Sequence, residues 1–232
     1  MRALVARRVL RGAVAAVLAG LPVALLALLV REKFRPLISF DDNAIRAATD
    51  VTRAHPGLLR TLLVVQEVMQ PRYVYAVAFL VAFLVWRAGT WRTRAVWAAV
   101  TMLVGWNLAF LAKLVVQRAR PVVSDPVSHA PGYSFPSGHA FNAAFALLMV
   151  LILTWPILRE RSRALRLGLV AGASLVVVVT CLDRVFLGVH FPSDVVGGVI
   201  LALAMAGASW AGYRGPRQVA EQVAHAVPTE RS

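Results

Sequence analysis

The 232-residue sequence contains one cysteine, Cys181, and only 11 acidic residues, and charged residues of both signs make up 16% of the chain. A single thiol excludes a disulfide framework and a cysteine-built metal centre. The shortage of charge is matched by an apolar excess of 59%, with a mean hydropathy of +0.69. Soluble domains carry about 45–50% apolar and about 25% charged residues, so this surplus must be kept from water. It also excludes disorder over most of the length, because disorder requires low hydrophobicity. No internal repeat or low-complexity tract interrupts the chain.

Basic residues are not scarce. Lys and Arg total 25 and leave a net charge of +14. In a soluble protein that balance points to nucleic acid. In an apolar chain it points instead to arginines flanking membrane spans on the cytoplasmic side. Six stretches, 12–30, 73–86, 95–112, 140–158, 167–182 and 195–213, contain no Asp, Glu, Lys or Arg. They are apolar all round, unlike the two-faced helices of a soluble core, and approach the roughly 20 residues a crossing needs. The expected fold is therefore all-α and polytopic, with spans near 12–30, 73–90, 95–117, 139–158, 166–182 and 193–213. The first is too long for the apolar part of a signal peptide, and Arg31 and Glu32 follow it without a small-residue cleavage pattern.

Arginines fall in alternate loops: Arg2, Arg7, Arg8 and Arg11; then Arg87, Arg92 and Arg94; then Arg159, Arg161, Arg163 and Arg166; then Arg214 and Arg217. Short basic loops mark the cytoplasmic side, so both termini are expected inside. The first outer loop, 31–72, is long and of mixed charge. Within it Leu58, Leu59, Leu62, Leu63, Val65 and Met69 recur at helical spacing, with Arg60, Gln66 and Glu67 off that face. This pattern predicts an amphipathic helix on the membrane surface or packed on the bundle.

The two remaining outer loops hold residues a connector does not need. Lys113 and Arg120 stand two helical turns apart, and Pro121 is expected to end the third span at Arg120, with Arg118 near them. Pro136-Ser137-Gly138-His139 precedes the fourth span. Ser137 suits an N-cap, Gly138 permits close approach of a ligand to the backbone, and helix N-termini bind anions. His139 is placed to donate a proton there. The last loop carries Asp183, Arg184, His190 and, after Pro192, Asp194. Asp194 lies one helical turn from His190 and can fix its tautomer, and Arg184 adds a planar fork for oxyanions. Cations gathered beside two histidines, without a cluster of Asp or Glu, suit phosphoryl chemistry rather than a magnesium site.

These residues, in this order, resemble the type 2 phosphatidic acid phosphatase superfamily. Lysine, six residues and Arg-Pro match Lys113, Arg120 and Pro121; Pro-Ser-Gly-His matches residues 136–139; and Ser-Arg, five residues, His, three residues and Asp match Arg184, His190 and Asp194. Asp183 departs from the usual serine. The resemblance implies that His190 is the nucleophile and forms a phosphohistidine, that Asp194 orients it, and that His139 protonates the leaving oxygen and then activates water. Lys113, Arg120, Ser137, Gly138 and Arg184 would hold the phosphoryl oxygens. It further implies a six-helix membrane phosphatase domain over 1–215 with a polar cytoplasmic tail over 216–232, no metal or other cofactor, and no nucleic-acid partner. The site would face outward from the plasma membrane, and the substrate would be a lipid phosphate or diphosphate. Undecaprenyl diphosphate is the first candidate, beside phosphatidic acid and phosphatidylglycerol phosphate. A six-span transporter would need polar or broken helices at mid-membrane, where the sequence offers little beyond Asn107 and Asn142. A non-catalytic scaffold would need neither histidine.

Overall fold

The structure is a computed structural model that describes residues 2–122, 128 and 130–213. Among these residues the regular structure is eight α-helices: α1 Arg2–Arg31, α2 Arg35–Ala54, α3 Pro56–Val68, α4 Pro71–Arg87, α5 Arg92–Val116, α6 Gly138–Leu158, α7 Arg163–Phe186 and α8 Pro192–Tyr213. Arg214, Arg217 and the tail expected over 216–232 lie outside the described residues.

Proline sets several of the boundaries. It occupies the first turn of α2, α3 and α4, where its missing amide costs nothing and its φ is already helical. α1, α5, α6, α7 and α8 are each long and apolar enough to cross a membrane. Their outward faces carry exposed Leu, Val and Phe, such as Val9, Leu18, Phe110 and Leu175. The second expected span differs from the reading. α4 stops at Arg87, before Gly89 in a left-handed turn (φ 91°), and reaches spanning length only together with α3, to which it is joined at a 47° bend. The break falls at Pro71, so five helices are of spanning length by themselves, and the bent pair α3–α4 replaces the single helix expected over 73–90.

α6 is the central helix. Phe141, Phe145, Met149 and Leu153 are fully buried along it, and Ala140, Ala143 and Ala146 let neighbours approach closely. α8 takes that opportunity at Gly198, where a Cβ would sit 2.7 Å from the Ser137 carbonyl oxygen. The N-termini of α6 and α8 thus lie side by side. At the other end of the bundle Arg94 of α5 donates to the Ile152 carbonyl of α6, and Trp97 of α5 donates to Ser209 of α8 at 3.0 Å.

α2 was not anticipated. Its buried residues, Asp41, Ile45, Ala48, Thr49 and Thr52, form one stripe that is largely polar, so an apolar periodicity does not reveal it. The threonine hydroxyls are satisfied by backbone: Thr49 donates to the Ile45 carbonyl at 2.8 Å, and Thr52 donates to the Phe186 carbonyl at the end of α7 at 2.8 Å. α3 buries Leu62 against Leu187 and Val189, which brings this segment onto the loop that carries His190.

Candidate active site

The site forms at the end of the bundle where α5 and α7 finish and α6 and α8 begin. The loop after α7 is short, and its path is fixed by Gly188 at φ 73° and by the Val189 and His190 amides, both donating to the Arg184 carbonyl at 3.2 Å. His190 is therefore buried, 3% exposed, with its ring edge turned to the start of α8. Nδ1 lies 3.4 Å from Asp194 Oδ2, and Nε2 lies 3.2 Å from Arg120 Nη1. A guanidinium only donates, so Nε2 is the acceptor and Nδ1 carries the proton that faces Asp194. Burial lowers the His190 pKa to about 4, against the opposing pull of Asp194. The imidazole is neutral near pH 7, with its lone pair on Nε2.

Arg120 reaches this position from a different backbone than expected. α5 ends at Val116, four residues early, because Gln117 adopts a left-handed conformation (φ 52°) and its amide caps the Lys113 carbonyl at 2.9 Å. Lys113 and Arg120 are thus not two turns of one helix. Lys113 sits on the last turn of α5 and donates to the Tyr133 carbonyl at 2.9 Å. Arg120 crosses the loop and donates to the Pro131, Gly132 and Val189 carbonyls at 2.9, 3.0 and 2.7 Å. Burial lowers its pKa, Asp194 opposes that effect and Arg184 adds to it.

Ser137 precedes α6, but its hydroxyl caps no amide: Oγ is buried without a partner, while its own amide donates to the Asp194 carbonyl at 2.9 Å. The expected capping bond is absent. His139 Nε2 is likewise buried without a partner, and His190, Lys113, Arg120 and Arg184 all act on His139 electrostatically. Gly138 faces Lys113, whose Cε would lie 3.7 Å from an added Cβ. Arg184, 2% exposed, offers less than the open fork expected. Asp183 Oδ2 accepts from both its Nε, at 2.7 Å, and its Nη2, while Asp183 Oδ1 has no partner.

Lys113, Arg120, Ser137, Gly138, His139, Arg184, His190 and Asp194 are therefore gathered at one end of the bundle. Three residues of the same cluster were not singled out as functional: Asp41, Ser193 and, beyond its nearness, Arg118. Arg118 bridges Asp194 Oδ1 and Asp41 Oδ2, at 2.7 Å each, and Asp194 is thus shared rather than committed to His190 alone. The signal for Asp41 lies in the α2 stripe, where a carboxylate shares a face with Ile45, Ala48 and Thr52. The described residues contain no group of three or more His, Cys, Asp or Glu placed to share a metal ion.

This constellation of cations and two histidines is built on apolar helices of spanning length. Residues 94–217 match the PAP2 superfamily, and the chain belongs to that family. Two relatives come from Bacillus subtilis (strain 168). Phosphatidylglycerophosphatase B is 30% identical over 169 residues, covering 69% of this chain and 81% of the relative. Undecaprenyl-diphosphatase BcrC is 26% identical over 166 residues, covering 66% and 78%. The fold is that of a crystal structure of a transmembrane PAP2-type phosphatidylglycerolphosphate phosphatase from Bacillus subtilis, with a TM-score of 0.67 at 20% identity over 91% of this chain and 98% of that one.

Proposed function

We propose that this membrane phosphatase hydrolyses a lipid phosphate or lipid diphosphate through a phosphohistidine on His190. The observation that carries the reading is the state of His190: neutral, with Nδ1 on Asp194 and the Nε2 lone pair facing the cationic side of the cluster. Nε2 attacks phosphorus, the bond from phosphorus to the lipid oxygen breaks, and protonated His139 gives its proton to that oxygen. Water then attacks the phosphohistidine, His139 takes the proton released, the N–P bond breaks and inorganic phosphate leaves. Splitting one displacement into two eases each step. Lys113, Arg120, Arg184, the Ser137 hydroxyl and the Gly138 amide hold the oxygens throughout, in keeping with chemistry that is mostly positioning and electrostatics. The unpartnered Ser137 Oγ and His139 Nε2 gain partners when a phosphoryl group binds.

The site lies at the ends of apolar helices, where a headgroup would meet it while its tail stays in lipid. Phosphatidylglycerol phosphate and undecaprenyl diphosphate, which the relatives' names specify, are the first substrates to assay. The short basic loops support cytoplasmic termini and an outward-facing site in the plasma membrane. Purified protein should release phosphate from a short-chain lipid phosphate in excess EDTA. His190→Ala should remove that activity while the protein still inserts. His139→Ala should lose about 10²–10⁴-fold, and less on a nitrophenyl phosphate, whose leaving group needs little protonation. Wild-type turnover in both variants would refute the mechanism.

A further inference from the structure

Behind His190 the buried polar network extends away from the phosphate side. Asp194 Oδ2 accepts from the Phe191 amide at 2.9 Å as well as facing His190 Nδ1, and its Oδ1 accepts from Arg118 Nη1 at 2.7 Å. Arg118 Nη2 donates to Asp41 Oδ2 at 2.7 Å, and Arg118 Nη1 also reaches the Ser193 hydroxyl at 2.7 Å. Asp41 accepts from the Ser193 amide at 3.0 Å and from the Ser193 hydroxyl. The guanidinium stacks on the Phe191 ring at 4.0 Å. Asp41 and Asp194 are fully buried, and the Arg118 side chain is 9% exposed. None of these contacts leads toward Lys113, Arg184 or His139.

We infer that Arg118 and Asp41 are positioning residues for the nucleophile: Arg118 holds the Asp194 carboxylate ionised and turned toward His190, and Asp41 holds Arg118 from α2. This inference rests on the phosphohistidine reading above. One guanidinium stands between two buried carboxylates. Without it the buried Asp194 carboxylate loses the guanidinium that holds it ionised and in place. A protonated or rotated Asp194 no longer accepts from Nδ1, the Nδ1–H tautomer loses its support, and the lone pair on Nε2 is no longer assured. The network also ties catalysis to α2, a helix whose opposite face is exposed and whose only buried carboxylate is Asp41.

The test is a double-mutant cycle in the purified full chain, assayed on a short-chain lipid phosphate. Arg118→Met should lower kcat by roughly 10–100-fold, the range seen when an outer partner of a catalytic ligand is removed. KM and inhibition by inorganic phosphate should not move, because Lys113, Arg120 and Arg184 remain. Asp194→Asn should cost little more in the Arg118→Met background than Arg118→Met costs alone, since residues acting as one unit are non-additive. Arg118→Lys, which keeps the charge but cannot span both carboxylates, should recover part of the loss. Should Arg118→Met fail to fold, Asp41→Asn, which keeps its shape, serves in the same cycle and must also lower kcat non-additively with Asp194→Asn. Wild-type kcat in the folded variants, or losses that multiply fully with Asp194→Asn, overturns the inference. An inactive wild type, or a fully active His190→Ala, overturns the phosphatase reading beneath it.

Discussion

Asp183 and Arg184 carry the charge balance of the proposed phosphate site. Both are buried, and the carboxylate holds two nitrogens of the guanidinium on a single oxygen. A phosphoryl group must therefore share Arg184 or displace Asp183 from it. Asp183→Ser exposes the contest. Arg184 then lacks its partner in the empty protein, which costs stability because an unpaired buried charge is expensive. Bound phosphate or vanadate gains the freed donors, and charge-assisted bonds are worth about 1.5–3 kcal/mol. The expected result is a lower Tm without ligand, a larger Tm rise on adding vanadate, and inhibition about tenfold tighter, at ~1.4 kcal/mol per decade. An unchanged vanadate response would show that Asp183 does not compete. The pH behaviour belongs to His190. Its pKa is lowered to about 4 by burial, with Asp194 opposing and Arg120 and Lys113 assisting. The neutral, attacking form is present above that pKa, so kcat/KM should hold through pH 5 and 6 and fall only as pH approaches about 4. An acid limb near the ordinary histidine value of about 6.5 would contradict the assignment. The same shift has a stability consequence: a histidine kept neutral when folded lets the unfolded chain bind the extra proton, so its contribution is lost as pH falls from ~6.5 toward the folded value.

At the scale of elements, the contact between α6 and α8 sets the geometry of the site, because His139 and Asp194 ride on their first turns. Gly198→Ala would place a methyl carbon 2.7 Å from the Ser137 carbonyl oxygen and 3.1 Å from the Phe141 amide nitrogen, both backbone atoms. The helices must separate, and overpacking of this kind costs typically ~1–3 kcal/mol. Tm should drop, and kcat should drop further than the stability loss explains, since Ser137 moves relative to Asp194. Normal turnover in Gly198→Ala would show that the helix spacing has slack. How much of this was legible in the sequence depends on the element. The spans α1, α5, α6, α7 and α8 were legible because uncharged runs leave no other place for themselves. The short α4 was only partly so, since it reaches spanning length only with α3, from which Pro71 divides it. α2 was not, because its inward face is built from Asp41, Thr49 and Thr52, satisfied by partners as distant in sequence as Phe186 and Ser193. The same limit applies inside the site. Motif spacing named the residues that converge, whereas the early end of α5 at Gln117, the pairing of Arg184 with Asp183 and the bridge through Arg118 depend on side-chain geometry that spacing does not encode.

The whole molecule is polarised along the bundle axis. At one end lie the cations of the proposed phosphate site, the two histidines, α2 and α3. At the other lie the arginine-bearing turns after α4 and α6 and the start of α1. Gly12 of α1 packs against Gly212 of α8 there. An aromatic group marks the basic end: Trp97 stacks on Tyr213 at 4.5 Å and lies 5.6 Å from Trp210, with Arg94 over the Trp210 ring at 4.6 Å. Tryptophan and tyrosine settle at the headgroup level of a bilayer, and short arginine-rich loops stay on the cytoplasmic side. The aromatic group marks a headgroup level on either side, so the arginine-rich loops alone carry the proposed orientation, with the basic end inside and the histidines outside. The start of α1 and the end of α8 share the basic end, so under the proposed orientation a tag fused after Ser232 should be inaccessible to an impermeant reagent in intact cells and become accessible on permeabilisation. A cysteine introduced at the exposed Val122 beside Arg120, in a Cys181→Ser background, should behave in the opposite way. If the tag is labelled in intact cells and the Val122→Cys thiol is not, the orientation is reversed and the phosphatase acts on the cytoplasmic leaflet.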